Sequence, residues 1–86
     1  MKIREVINLR HWVSGSGFSH TETYSDSIIE ISGIPEEMDW SWWDADEENE
    51  GNWDDIEIVV QYFAEDDEDM ENPLGEWSVW ESDLKA

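Results

Sequence analysis

Between Arg10 and Lys85 the chain carries no cationic side chain, and this gap constrains folding more than any motif does. Residues 21–84 hold 23 of the 24 Asp and Glu residues, whereas residues 1–20 set Lys2, Arg4 and Arg10 against Glu5 alone. A folded surface usually intersperses both signs, because opposite neighbours relieve self-repulsion. Here the acids must be spread over loops, and a core must offset what repulsion remains. With a net charge of −20 in 86 residues, an unfolded acidic chain is the alternative that the rest of the pattern has to overcome.

Periodicity argues for a fold. From Ile56 to Ala64 the run alternates, with Ile56, Ile58, Val60 and Tyr62 on one face and Glu57, Val59, Gln61 and Phe63 on the other. This predicts a strand buried on one face and partly on both. Residues 6–13 and 18–24 flank Ser14-Gly15-Ser16-Gly17, the signature of a hairpin. Ser27–Ile31 is expected to add a short strand and Glu76–Glu81 a last one. After Gly33-Ile34, Pro35 followed by Glu36, Glu37 and Asp39 suits the first turn of one short helix reaching Trp40. The expected fold is a single domain over residues 1–86, of small α+β class, mainly antiparallel β-sheet with one short helix; an all-β domain is the alternative.

Seven Trp residues make such a core feasible, since each buries roughly 150–250 Å². About four of the seven are expected in the core, the others serving as surface anchors. Trp42 and Trp43 are adjacent, so in an extended segment they point to opposite faces, and one of them is the expected exposed anchor. Trp40-Ser41-Trp42-Trp43-Asp44 and Trp77-Ser78-Val79-Trp80-Glu81 look alike, but two five-residue copies fall short of a repeat fold.

Several chemistries are excluded by residue type. The chain has no Cys and two His, so it offers no disulfide, no thiolate nucleophile and no all-histidine zinc site. An EF-hand register from Asp44 puts Asn49 where Gly is required and Asp55 where a bidentate Glu is expected. Ser14, Ser16 and Ser19 lie near His11 and His20 without a nucleophile-elbow pattern. No phosphate-cradling glycine loop occurs. The expectation is a protein that is not an enzyme and takes no metal or other cofactor. No apolar run approaches the roughly 18 residues of a membrane helix, and Met1–Arg10 lacks a signal-peptide core.

Two acidic runs concentrate the charge: Asp44, Asp46, Glu47, Glu48 and Glu50 in the first, and Glu65, Asp66, Asp67, Glu68, Asp69 and Glu71 in the second. Asp54 and Asp55 follow the first run closely. With Trp42 and Trp43, these acids are the candidate partner-binding residues. A compact chain of this length has a radius of gyration of about 12 Å and a long dimension on the order of 30 Å. Duplex DNA presents about 18 phosphate charges over that length, close to the excess carboxylates here. The partner selected by sign is a basic protein surface; nucleic acid and anionic membrane are repelled.

In size, cation-free stretch and paired acidic runs, the chain resembles the small acidic DNA-mimic inhibitors, which include phage anti-CRISPR and anti-restriction proteins. The resemblance covers most of the chain and includes no sequence motif, because these inhibitors share no fold. It implies occlusion of the nucleic-acid site of a CRISPR effector, restriction enzyme or similar protein by carboxylates standing in for phosphates. It also implies a cytoplasmic location, that of the host bacterium for a phage-encoded protein. An immunity protein or antitoxin neutralising a basic nuclease is the alternative, and a disordered acidic-aromatic segment a third. Homodimerisation stays open.

Overall fold

The computed structural model describes residues 1–13, 15, 17–43 and 53–84, with the backbone alone at 18 and 19. Four strands, β1 (Lys2–Val13), β2 (Gly17–Glu30), β3 (Asp55–Ala64) and β4 (Gly75–Trp80), form one antiparallel sheet in the order β2-β1-β3-β4. One helical turn, α1 (Glu81–Leu84), closes the described chain. The mainly antiparallel β expectation therefore holds, while the helix lies at the C-terminal end and not at 35–40.

The glycine-rich spacer turns β1 into β2, with Gly15 and Gly17 at φ +84° and +75°, where a Cβ would be strained. Ser27–Ile31 does not form a separate strand: β2 runs unbroken to Glu30. It accommodates its length through irregularities opposite Ile7/Asn8 and His11/Trp12. At the first of these Ile7 pairs with Ser25 and Asn8 with Thr23, so Tyr24 is the extra residue of a bulge.

Residues 31–43 cross one face of the sheet as bends and turns. The expected helix fails for local reasons. Asp39 Oδ1 accepts from Ser41 N at 3.0 Å, and Trp43 N donates to Trp40 O at 3.1 Å. These contacts offer the backbone an alternative to helical bonding. Trp77 Nε1 takes the Glu36 carbonyl at 3.4 Å, and a six-residue segment has little cooperative helix stability of its own. At the other end α1 receives a cap from a distant strand: Asp55 Oδ1 accepts from Ser82 N at 3.1 Å and Oδ2 from Ser82 Oγ at 2.7 Å.

The core lies between the sheet and this crossing segment. Ile3, Ile7, Leu9, Ile56, Ile58, Val60 and Tyr62 form its sheet side with Trp43 buried among them, while Ile34, Met38, Trp40, Trp53, Trp77 and Leu84 pack around the edge. The alternation read from Ile56 to Ala64 is realised. Ile58 and Val60 are fully buried on the core face, and Val59 and Phe63 are shielded on the other. Four Trp residues, at 40, 43, 53 and 77, contribute to this core.

Among the described residues one sheet face is covered by a crossing segment and no second layer of sheet or helix is present, and the molecule is a slab. Its extents are 40 × 28 × 18 Å and its radius of gyration 13.9 Å. Both exceed the 12 and 30 Å expected of a compact sphere-like chain, and the reason is the single-layer architecture. Among the described residues no helix is long and apolar enough to cross a membrane.

Candidate functional site

The second acidic run links β3 to β4 as an ordered loop. Asp67 N donates to Ala64 O at 3.0 Å, Met70 N to Asp67 O at 3.2 Å, and Asn72 N to the Asp67 carboxylate at 3.1 Å. Met70 takes a positive φ of 53° to complete the turn. Asp67 is thus half-buried and spent on the loop itself. Glu65, Asp66, Glu68, Asp69 and Glu71 point outward and are exposed.

Asp54 and Asp55 sit at the opposite end of β3, about 30 Å from that loop at the usual rise per residue. Asp54 is exposed. Asp55 is half-buried, and its carboxylate holds Ile56 N at 2.8 Å as well as Ser82, so it joins β3 to α1. The first acidic run, with Asp44, Asp46, Glu47, Glu48 and Glu50, lies outside the described residues, as does the EF-hand register that begins in it.

The adjacent tryptophans divide as expected, one buried and one exposed, though by a turn and not by strand alternation. In the Trp40–Trp43 turn, Trp43 is 8% exposed and Trp42 is 40% exposed. Trp42 stands beside Tyr24, itself 43% exposed, with ring centroids 6.3 Å apart. Tyr24 was not a sequence candidate. Its position depends on the bulge, which no local pattern marks.

The cations show the clearest organisation. Lys2, Arg4 and Arg10 are all even-numbered positions of β1, so alternation places them on the face away from the core. There Arg4 meets Asp26 at 3.1 Å and Arg10 meets its cross-strand partner Glu57 at 3.4 Å. This face carries both signs of charge, and Val6, Val59 and Phe63 on it are buried. The core side and the ends of the sheet carry Glu36, Glu37, Asp39, Glu65, Asp66, Glu68, Asp69, Glu71 and Asp83; at one end Lys2 and Met1 line the same groove as Glu65 and Asp66, and the Met1 ammonium pairs with Glu30 at 3.0 Å. Parity at positions 2, 4 and 10 was a readable signal, but it required β1 to start at Lys2, four residues before the strand that composition marks.

Two further features lie outside the acid runs. His11 and His20 are cross-strand partners whose rings stack at 4.3 Å, with Trp53 against both. His11 Nε2 is 3.7 Å from Glu22 Oε1, but the rings face each other, so their nitrogens do not converge on one point. Among the described residues no group of three or more His, Asp or Glu is arranged to hold a metal ion. A shallow groove of about 630 Å³ is lined by Met1, Lys2, Ile3, Ala64 and Leu74 together with Glu65 and Asp66.

No protein-family model matches the chain, and no curated protein or solved structure matches it.

Proposed function

We propose that this domain is a nucleic-acid mimic that binds the basic DNA-binding surface of another protein, a CRISPR effector, restriction enzyme or similar, and occludes it. One observation carries the reading: both described arginines lie on the open sheet face, paired with Asp26 and Glu57, while Glu36, Glu37, Asp39, Glu68, Asp69, Glu71 and Asp83 make no ion pair among the described residues. Charge kept only for solubility has no reason to segregate in this way. Over the 40 Å long dimension a duplex presents about 24 phosphate charges, of the same order as the net charge of −20. Acids at both ends of β3 distribute that charge along the slab. A groove evolved to release counterions from phosphates gains the same steering from such a surface.

The test is competition. A partner captured from bacterial lysate should lose duplex binding when the domain is added, and affinity should fall as salt rises. Replacing Asp66, Glu68 and Asp69 by Lys should abolish competition, with Asp67 left in place to hold the loop. Arg10→Glu, on the open face, should leave it intact. Salt-insensitive binding that survives the triple replacement would sink the reading. An immunity protein against one basic nuclease is the second reading, favoured by the exposed Tyr24 and Trp42, since aromatic anchors suit a shape-specific partner. It predicts protection against one toxin without competition for DNA.

A further inference from the structure

The exposed rings of Tyr24 and Trp42 belong to a built surface. Trp40 and Trp42 are 6.0 Å apart and inclined by 32°, and Trp42 and Tyr24 are 6.3 Å apart at 39°. The low inclinations make a shallow shelf. Trp43 lies buried beneath it, edge-on to Trp42 at 88° and to Tyr24 at 62°. Two hydrogen bonds, from Ser41 N to the Asp39 carboxylate and from Trp43 N to Trp40 O, fix the turn that carries the shelf. The bulge brings Tyr24 up to its edge. Large aromatic area left in water on a fixed turn is a poor use of burial in a chain with so little apolar surface.

Charge identifies the occupant. Asp39, three residues before Trp42, is exposed, and the hydrogen bond from Ser41 N holds its carboxyl below the ordinary value of 3.8. It is therefore ionised at neutral pH. The first acidic run begins at Asp44, directly after Trp43 in the chain, and the described cations face the other way. An aromatic shelf on the same turn as the ionised Asp39 attracts a cation through the negative ring faces. A guanidinium suits it better than an ammonium, being planar, weakly hydrated and able to stack while bonding a carboxylate.

We propose that Tyr24 and Trp42 form a stacking platform for an arginine side chain of the partner. The assignment rests on the basic-partner reading above and names the contact that anchors it. Distributed carboxylates attract any polycation, whereas the platform selects arginine over lysine and fixes the register in which the partner docks.

The experiment uses the whole chain, labelled with nitrogen-15, and follows its indole N–H signals. Probes are blocked hexa-arginine, blocked hexalysine and cellohexaose. At 0.15 M salt hexa-arginine should shift the Trp42 indole and bind roughly 2- to 30-fold more tightly than hexalysine, the range expected for exposed to desolvated cation–π contacts. Trp42→Ala should bring that ratio close to one while hexalysine affinity stays unchanged, and Trp42→Phe should restore part of it. Tyr24→Ala supplies a second variant on a separate element, with the same loss of preference. An arginine preference that persists in both Ala variants overturns the platform, as does a Trp42 signal that responds to cellohexaose and not to hexa-arginine. DNA competition at full strength by Trp42→Ala removes the platform and leaves mimicry standing. A Trp42-dependent arginine preference without any DNA competition keeps the platform and removes mimicry.

Discussion

Trp43 Nε1 donates a hydrogen bond to Glu81 Oε2 at 3.2 Å, joining the turn that carries Trp42 to the first residue of α1. Glu81 is wholly buried and Trp43 nearly so, so this contact connects the crossing segment to the C-terminal end of the sheet from inside the core. Removing the acceptor leaves a buried indole N–H unsatisfied, a cost of about 1–3 kcal/mol. Glu81→Ala should lower the unfolding free energy by at least that amount in urea melts, because a cavity is added. Glu81→Gln keeps an acceptor and should cost less. Equal losses in both variants would show that the indole bond contributes nothing.

Gly75 is fixed by a ring and not by a turn. A Cβ there would come within 2.5 Å of Trp77 Cη2 and 2.9 Å of Ile34 Cγ2. The indole of Trp77, two residues along the same strand, folds back over the Gly75 backbone and meets Tyr62, the cross-strand partner of Gly75, edge-on at 5.6 Å. Gly75→Ala should therefore destabilise the domain by about 1–3 kcal/mol through overpacking, despite alanine's better fit to a strand backbone. The expected signature is a loss of near-ultraviolet circular dichroism from Trp77. A thermal midpoint at or above wild type would refute this packing.

The elements legible in the sequence were those set by short-range pattern. Ile56–Ala64 alternates cleanly, and Ser14–Gly17 has the residues a hairpin needs, so β3 and the β1–β2 turn followed directly. What was not legible depended on pairing across the sheet. Ser27–Ile31 looked separate because nothing local shows that β2 continues through a bulge at Tyr24. Pro35, Glu36 and Glu37 look like a helix start. The competition from Asp39, Ser41 and Trp77 that prevents one appears only when the segment crosses the core. The candidate site divided along the same line. Exposure of the second acidic run and of one tryptophan of the 42–43 pair could be read, whereas Asp55 and Asp67 proved to be bound into the fold.

Alkaline pH should expose the environment of Tyr62. Burial, with the neighbouring Glu5 carboxylate as a second cause, raises its phenol above the ordinary value of 10.0. A raised value means that the folded state resists ionisation more than the unfolded chain does. The contribution is complete below pH 10 and is lost as pH rises through the shifted value. Thermal midpoints should fall between pH 10 and 12 in the wild type and fall less in Tyr62→Phe, which cannot ionise. Identical alkaline profiles for the two proteins would overturn the assignment.

Salt should act on folding and on partner binding with opposite sign. Inside the domain, carboxylates at 36, 37, 39, 65, 66, 68, 69, 71 and 83 make no ion pair among the described residues, so their repulsion opposes the compact state. Raising ionic strength from 0.01 to 0.15 M shortens the screening length from about 30 Å to about 8 Å. That change relieves repulsion across much of a 40 Å slab, and the thermal midpoint should rise. The same screening weakens attraction to a basic partner. Replacing Asp66, Glu68 and Asp69 by Lys should raise the midpoint at low salt and flatten its salt dependence, since three repulsive groups become attractive to their neighbours. A midpoint independent of salt in the wild type would mean that the acids are already relieved by contacts within the fold, and the electrostatic basis of the proposed function would go with it.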